Sequence, residues 1–269
     1  MVIGASEGIM GELDFDQLEQ EGYAVVPGFL DRETTGRVRE HIDSLLPPIG
    51  ARRKDQTRSH TALRHPIPGA IMAELVDNPV LLDLAAQCLK SRELRLLEQV
   101  LIRSDPSPSP HGPQGWHVDW AFLPRHYEAV PRQTYFHMVH CLNTVPAGGA
   151  AFMIVPGSHN LTYGASEQVQ TAEELGKLKR DPIGVAGVNT SDGIEVCPNE
   201  GDLLIFNPMA LHSGSSNATD QPRYVYFASF FDTSATELWD ELRRTKYREG
   251  FPDSLRVNLP TDLQSLLAW

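Results

Sequence analysis

Three side chains of the types that bind transition metals stand out in this chain. His117 and Asp119 form an H-x-D triplet, and a second histidine, His212, follows well downstream. Two imidazoles and one carboxylate can hold one face of a ferrous ion and leave the opposite face open to small molecules. Arg223 comes shortly after His212, and its planar guanidinium suits one end of a dicarboxylate. The pattern therefore indicates chemistry at a metal ion with a dicarboxylate bound nearby.

The spacing of the triplet follows from strand geometry. Side chains two residues apart in a strand point to the same side, so an extended segment at 115–119 projects His117 and Asp119 together and turns Val118 away. The third ligand must then come from another strand that folds back beside this one. Residues 201–206 begin with Gly-Asp and continue as an apolar run, which is typical of a turn followed by a buried strand. The residues after this run return the chain to the downstream histidine.

The arginine strengthens a signal that is weak by itself. The chain contains ten histidines, so an H-x-D triplet can arise by chance. Arg223, however, opens the apolar, strand-like run at 223–231. A guanidinium buried in such a strand needs a partner, and an anion is the natural one.

Composition indicates one globular domain and excludes some classes of protein. A chain of 269 residues with 41% hydrophobic content suits a single domain over residues 1–269. The formal net charge of −12 disfavours nucleic-acid binding, which usually needs a basic surface. No apolar stretch has membrane-spanning length, and the N-terminus lacks the features of a signal peptide. Three scattered cysteines (Cys88, Cys141 and Cys197) indicate reduced thiols in a cytoplasmic protein.

Short strands separated by turn signals predict a mainly β fold with flanking helices. Helices are expected at 15–21, 31–46, 78–90 and 234–247, and strands at 23–26, 94–103, 132–142, 151–155, 201–206 and 223–231. Residues 161–200 are mostly polar, and we interpret them as a long insertion with one short helix at 171–179. This arrangement favours a jelly-roll barrel wrapped by N-terminal helices.

Two irregular segments are candidates for the mouth of the site. Residues 50–68 carry a basic cluster, and residues 105–115 are rich in proline, glycine and serine and lead directly into His117. Either segment can be a plain exposed connection, or it can select the substrate, as loops around a rigid site often do. If the basic cluster is functional, the substrate is anionic. Its members are Arg52, Arg53, Lys54, Arg58 and Arg64.

Five short motifs together resemble one known family. They are GYAVVPGFL at 22–30, WHVD at 116–119, GGAAFMIVPGSH at 148–159, Gly-Asp at 201–202, and His212 followed by Arg223. In this order they are similar to the phytanoyl-CoA dioxygenase family of iron(II)- and 2-oxoglutarate-dependent oxygenases. The resemblance covers residues 15–232.

The resemblance implies a double-stranded β-helix, a cupin-like barrel with iron near one mouth. It implies that His117, Asp119 and His212 bind Fe(II) and that Arg223 pairs with the distal carboxylate of 2-oxoglutarate. Many members have glutamine where this chain has Val118, so one polar contact to the cosubstrate is missing or comes from elsewhere.

The predicted strand 132–142 and the residue after it supply weaker candidates for holding the cosubstrate. They are Tyr135, His137 and Asn143, which lie on or near a strand expected to line the barrel. His159 lies in the most recognisable motif, yet the resemblance implies that it stabilises a turn and does not contact iron.

The activity that the resemblance implies is hydroxylation of a small molecule. Dioxygen and 2-oxoglutarate are consumed, and succinate and CO2 are released. Desaturation, epoxidation and cyclisation are alternative outcomes of the same chemistry. A halogenase needs a small residue in place of the ligand carboxylate, so Asp119 argues against it. A non-catalytic cupin-like binder and a peptide oxygenase stay open as alternatives.

Overall fold

The structure is a computed structural model, and it describes residues 11–51, 60–64, 67–107, 110–119, 134–234 and 250–269. Its helices are α1 (Phe15–Glu21), α2 (Arg32–Leu45), α3 (Ile71–Val76), α4 (Pro79–Leu89), α5 (Ser158–Glu167), α6 (Ala172–Arg180), α7 (Pro182–Ala186) and α8 (Asp253–Asn258). Two 3₁₀ helices cover Thr190–Asp192 and Thr261–Leu267. Its strands are β1 (Tyr23–Val26), β2 (His60–Arg64), β3 (Leu94–Ser104), β4 (Tyr135–Cys141), β5 (Phe152–Ile154), β6 (Ile194–Val196), β7 (Leu203–Phe206), β8 (His212–Gly214) and β9 (Arg223–Asp232).

Two antiparallel sheets form the barrel. The larger sheet has the strand order β1-β7-β4-β9-β3-β2, and the smaller sheet has the order β6-β5-β8. An extended segment at 113–117 adds to the smaller sheet through isolated bridges to His212 of β8 and to Ser215, just after β8. Side chains from both sheets meet in one apolar cluster, which includes Val139, Ile154, Leu204, Phe206 and Val225. The two sheets therefore enclose a common core, and the fold is the double-stranded β-helix predicted from the sequence.

Strand β4 shows why the barrel interior and the helical layer receive different side chains. Alternate residues of a strand point to opposite faces. Val139 and Cys141 join the core between the sheets, whereas Phe136 and Met138 join the cluster shared with the helices. All seven residues of β4 are buried. The strand is therefore covered on both faces, and it places its odd-numbered residues inside the barrel.

The N-terminal helices cover the outer face of the larger sheet. Val38 and Ile42 of α2 and Leu81 of α4 are fully buried against it, together with Phe230 of β9. Burial of each such side chain contributes about 1.5–3 kcal/mol to stability. A side chain caps the first turn of α2: the Asp31 carboxylate accepts a hydrogen bond from the backbone amide of Thr34. These helices fix the sheet from outside and leave its inner face to the site.

A buried arginine ties the end of α2 to the larger sheet. Arg103 of β3 is 2% exposed, and its guanidinium contacts Asp105 at 2.7 Å and Asp43 of α2 at 2.8 Å. It also donates to the carbonyl oxygen of Pro47 at 2.5 Å. Tyr224 of β9 donates to the same Asp43 carboxylate. Because every charge in this network has an opposite partner, the network holds the helix layer in register with β3 and β9.

The predicted elements are confirmed in most places and corrected in others. Helix α1 and strand β1 match the predicted 15–21 and 23–26, and β3 extends the predicted 94–103 by one residue. The polar segment 161–200 was underestimated, since it contains the end of α5, all of α6 and α7, and strand β6. Residues 60–64, expected to be part of an irregular segment, form edge strand β2 beside β3.

Some predictions fall outside the described residues. They concern most of the helix expected at 234–247, the first residues of the strand expected at 132–142, and the basic side chains Arg52, Arg53, Lys54 and Arg58. The three cysteines lie within the described ranges and are free thiols. Across the described part of the chain, no helix combines the length and apolarity needed to cross a bilayer.

His140 makes the stability of this fold depend on pH. Its ring is fully buried, stacks on Tyr226 at 5.4 Å, and has no hydrogen-bond partner among the described residues. Burial lowers the pKa of His140 to about 3. Below an ordinary histidine pKa of about 6.5, this histidine is protonated in the unfolded chain but stays neutral in the folded chain. The free energy of unfolding therefore falls by about 1.4 kcal/mol for each pH unit of acidification.

We expect His140→Phe to remove this component of acid sensitivity. Between pH 7.5 and pH 5, wild type should lose about 2 kcal/mol more unfolding free energy than the variant. Urea denaturation at a series of pH values measures both curves. Parallel curves for the two proteins over this range would contradict the assignment.

Candidate metal centre

The two histidines of the predicted ligand set face each other across one pair of backbone hydrogen bonds. The His117 amide donates to the His212 carbonyl at 2.9 Å, and the His212 amide donates to the His117 carbonyl at 3.0 Å. This is the arrangement of a hydrogen-bonded antiparallel pair, whose side chains lie on the same face of the sheet. The ring centroids are 4.4 Å apart. The pairing of segment 113–117 with β8 therefore sets the distance between the two imidazoles.

Asp119 completes the group from the same extended segment. Its amide donates to the carbonyl oxygen of Pro208 at 2.9 Å. One carboxylate oxygen lies 3.1 Å from His212 Nε2, and the other lies 3.5 Å from His117 Nε2. Ligand atoms of these three residues all lie within 4.8 Å of one another. Val118 packs away from them against an apolar cluster that includes Tyr163, as the strand alternation predicts.

Backbone carbonyls orient both imidazoles. His117 Nδ1 contacts the Gly115 carbonyl at 2.9 Å, and His212 Nδ1 contacts the Ala210 carbonyl at 2.8 Å. A carbonyl oxygen can only accept, so Nδ1 carries a hydrogen in both rings, and in the neutral form of each ring Nε2 keeps a lone pair for a metal ion. Both Nε2 atoms face the Asp119 carboxylate, at 3.1 Å for His212 and 3.5 Å for His117. This donor set, two neutral imidazoles and one carboxylate, fits a divalent transition metal.

The group is open on one side and enclosed on the other. The His117 side chain is 48% exposed, whereas the His212 side chain is 6% exposed. Phe206 and Phe152 pack against the His212 ring with centroid separations of 4.9 and 5.5 Å. Among the described residues, the centre is therefore exposed on the His117 side, while aromatic rings pack against it on the barrel side.

The electrostatics of the centre favour an ionised carboxylate. Burial acts to raise the pKa of Asp119, but the adjacent His212 and His137 outweigh it and hold that pKa well below its ordinary value. Burial acts to lower the pKa of His212, and the nearby Asp119 outweighs this and raises it. The carboxylate is thus charged at neutral pH and presents negative charge to a cation.

Arg223 lies on the inner face of the barrel, at the beginning of β9. Its Nη1 donates to the carbonyl oxygen of Ala150, and its buried Nε has no hydrogen-bond partner within the described ranges. Burial lowers the pKa of Arg223 to about 10, so the guanidinium is still charged at neutral pH. A buried guanidinium whose Nε–H group has no acceptor is suited to bind an anion.

The three weaker candidates have different positions. Tyr135 donates from its hydroxyl to the Asp119 carbonyl at 2.8 Å, and His137 Nε2 lies 3.3 Å from the Asp119 carboxylate. Asn143 is not brought to this group. Its side-chain oxygen accepts a hydrogen bond from the backbone amide of Tyr224 at 2.8 Å, and its side-chain nitrogen donates to the Pro222 carbonyl at 3.0 Å. These two bonds close the turn before β9.

Other residues that the sequence analysis named make contacts that hold elements of the fold together. His159 Nε2 contacts the Glu19 carbonyl at 3.1 Å and so ties α5 to α1, in agreement with a turn-stabilising role. The described parts of segment 105–115, residues 105–107 and 110–115, run along β8 and the residues after it. The Gln114 amide, for example, donates to the Gly214 carbonyl at 2.9 Å. Within this segment, the Gly115 carbonyl makes the contact to a candidate ligand.

Sequence reasoning missed the residues behind His137. Its Nδ1 lies 2.6 Å from Ser229 Oγ and 3.6 Å from a carboxylate oxygen of Glu98. Ser229 and Glu98 face each other in neighbouring strands β9 and β3. The signal in the sequence was a polar residue in each of two otherwise apolar strands, β3 and β9. The register that brings these two residues together could not be predicted from the sequence.

Several solved structures have a similar fold, and they include enzymes described as α-ketoglutarate dependent or bound to 2-oxoglutarate. The epimerase SnoN of nogalamycin biosynthesis, in complex with Fe³⁺, α-ketoglutarate and nogalamycin RO, has 22% identity and a TM-score of 0.60, covering 81% of this chain and 82% of that one. The carbocyclase SnoK of the same biosynthesis has 17% identity and a TM-score of 0.58, with coverages of 81% and 82%. HygX from Streptomyces hygroscopicus, bound to nickel, 2-oxoglutarate and hygromycin B, has 18% identity and a TM-score of 0.54, with coverages of 81% and 87%.

A search of curated protein sequences gave no match to the chain. The family comparison, in contrast, gave a match that spans most of it. Residues 18–225 match the family described as phytanoyl-CoA dioxygenase (PhyH), a range that contains His117, Asp119, His212 and Arg223. The chain belongs to the phytanoyl-CoA dioxygenase family.

Proposed function

We propose that this protein is a non-haem Fe(II)- and 2-oxoglutarate-dependent oxygenase that hydroxylates a small-molecule metabolite. The observation that carries the proposal is the convergence of His117, Asp119 and His212, whose ligand atoms lie within 4.8 Å of one another. Two features support it: Arg223 lies on the inner face of the same barrel, and the chain belongs to a dioxygenase family.

The three ligands provide one carboxylate charge and two neutral nitrogens. Such a set neutralises part of the charge of a divalent ion and leaves one side of it open. Iron(II) held by these residues would supply dioxygen activation, in which 2-oxoglutarate is oxidised to succinate and CO2 and a substrate C–H bond becomes C–OH.

The remaining residues bind, orient and exclude water. The Arg223 guanidinium receives the C5 carboxylate of 2-oxoglutarate inside the barrel. Phe152 and Phe206 shield the His212 side of the centre, and the exposed edge of His117 faces the direction from which substrate arrives. The chain thereby separates the site for cosubstrate from the route for substrate.

The reaction outcome has a second candidate. Two proteins of similar fold are described as an epimerase and a carbocyclase, and both depend on α-ketoglutarate. Epimerisation or ring closure is therefore an alternative outcome of the proposed reaction in this chain. Asp119 supplies a carboxylate in the position that a halogenase would leave vacant, which disfavours halogenation.

Formation of succinate tests the proposed class. Purified protein supplied with Fe(II), 2-oxoglutarate and dioxygen should release succinate slowly without substrate, and faster when a true substrate is added. Product mass then separates hydroxylation, a gain of one oxygen atom, from epimerisation or cyclisation. Absence of succinate from iron-loaded protein across a broad substrate screen would favour a non-catalytic binder.

We expect His212→Ala to abolish tight iron binding. The substitution removes one of three ligands, and loss of even an outer partner of a ligand costs roughly 10–100-fold in metal affinity. Fe(II) titration under anaerobic conditions measures the effect, with His159→Ala as the control because His159 lies away from the centre. Undiminished affinity in the His212 variant would refute the ligand assignment.

We expect Arg223→Leu to raise the KM for 2-oxoglutarate by at least about 30-fold and to leave Fe(II) affinity nearly unchanged. The variant loses the buried charge that pairs with the C5 carboxylate. Arg223→Lys should fall between the variant and wild type, because lysine keeps the charge but not the bidentate fork. Steady-state kinetics of succinate release measures KM, and an unaltered value would point to another anchor.

A further inference from the structure

A third histidine lies against the ligand carboxylate. His137 Nε2 is 3.3 Å from Asp119 Oδ2, the same oxygen that lies 3.1 Å from His212 Nε2. The His137 side chain is 4% exposed. It is not part of the group of three residues whose ligand atoms all lie within 4.8 Å of one another. His137 therefore contacts the carboxylate and does not share the position of the three ligands.

Aromatic rings fix the orientation of His137. Phe206 stacks on its ring with a centroid separation of 4.8 Å and an interplanar angle of 28°. Tyr135 and Phe227 meet the ring edge-on, at 5.4 and 6.1 Å. Close packing on several sides leaves the imidazole little freedom to turn away from the carboxylate. Tyr135 also binds the Asp119 carbonyl, so β4 holds both the backbone and the side chain of that residue.

Polar residues determine which nitrogen of His137 carries hydrogen. Nδ1 lies 2.6 Å from Ser229 Oγ, and that hydroxyl lies 3.4 Å from a carboxylate oxygen of Glu98. The hydroxyl donates either to Nδ1 or to Glu98, and in the second case Nδ1 donates to the hydroxyl. When the hydroxyl donates to Nδ1, the neutral ring carries its hydrogen on Nε2, on the side of Asp119; when Nδ1 donates to the hydroxyl, Nε2 carries a hydrogen in the charged ring.

The contact to Asp119 is the interaction available to Nε2. This nitrogen is buried and has no well-directed hydrogen-bond partner in the described ranges, and Asp119 Oδ2 is the acceptor beside it. A buried N–H without an acceptor costs about 1–3 kcal/mol. The ring is held in place and the carboxylate is 35% exposed, so the carboxylate is the side of the contact that is free to adjust.

We propose that His137 is a positioning residue for the metal-ligand carboxylate. Its Nε2 faces Oδ2 of Asp119, which would leave the other carboxylate oxygen to a bound metal ion, while Ser229 and Glu98 contact the opposite side of its ring. This role differs from the cosubstrate contact that the sequence suggested for His137, and it rests on the function proposed above. Outer partners that hold a ligand in this way commonly change metal affinity by about 10–100-fold.

The test is an anaerobic titration with Co(II), a probe whose visible absorption reports ligand geometry. Wild type is compared with His137→Phe, His137→Gln, Ser229→Ala and the control His140→Phe. We expect the Co(II) dissociation constant to rise about 10–100-fold in His137→Phe, with a change in the absorption bands. His137→Gln keeps an N–H donor and should recover part of the loss, and Ser229→Ala should show a smaller rise.

The control exploits a second buried histidine on the same strand. His140 stacks on Tyr226, which belongs to the cluster shared with the helices, so His140→Phe should keep the Co(II) dissociation constant within about twofold of wild type. If His137→Phe also stays within about twofold, the proposal is wrong. If His137→Phe fails to fold, an unchanged constant in both His137→Gln and Ser229→Ala overturns it.

Two further outcomes separate this proposal from its alternatives. A loss confined to 2-oxoglutarate affinity in His137→Phe, with Co(II) binding intact, would make His137 a cosubstrate residue and overturn the positioning role. Wild-type protein that binds neither Co(II) nor Fe(II) would overturn the proposed function itself. Normal metal binding and succinate release in wild type, with unchanged Co(II) affinity in the variants, would overturn the inference about His137 alone.

Discussion

The pairing of two short pieces of backbone is the constraint on which the candidate centre depends. His117 and His212 exchange both amide hydrogen bonds, at 2.9 and 3.0 Å, and this places their rings side by side. The strand period then directs Asp119 to the same face, two residues beyond His117. A shift of one residue in this register would turn all the side chains of the segment to the opposite face. The barrel strands and helices act together to keep that register.

Polar groups inside the barrel are the second determinant of the site. Apolar side chains fill most of the interior, so each buried charge is placed where a partner exists or where a ligand can supply one. Glu98, Ser229 and His137 form a chain that ends at the ligand carboxylate. Arg223 lies on the same face of β9 as Ser229, since the two residues are separated by an even number of positions. One strand thus carries a residue behind the candidate metal centre and the residue proposed to bind the cosubstrate.

The ligand pattern and the barrel could be predicted from the sequence because they rest on local rules. The spacing of His117 and Asp119 and the turn before β7 each need only a few neighbouring residues. The contact between His137 and Asp119 needed the register of β4 against β7 and β9, which depends on pairing between distant segments. Asn143 was expected near the site, but a polar residue at the end of a strand can also satisfy the backbone of a turn.

Polar composition concealed other elements for similar reasons. Strand β2 lies at the edge of the larger sheet, where polar and charged residues are common, so residues 60–64 resembled a loop. Helix α6 begins with a capping box formed by Thr171 and Glu174. The sequence showed this helix, but the shorter helix after it, α7, has too few residues to give a periodic pattern.

The bridge between residues 117 and 212 has a consequence for how the chain folds. Contacts between segments so far apart in sequence form late, because the entropy of closing a long loop opposes them until other contacts are made. The three ligand atoms therefore meet only after both sheets have closed around the core. A partly folded or newly synthesised chain offers separate histidines and carboxylates, each a weak metal ligand. Assembly of the candidate metal centre is in this way coupled to completion of the fold around it.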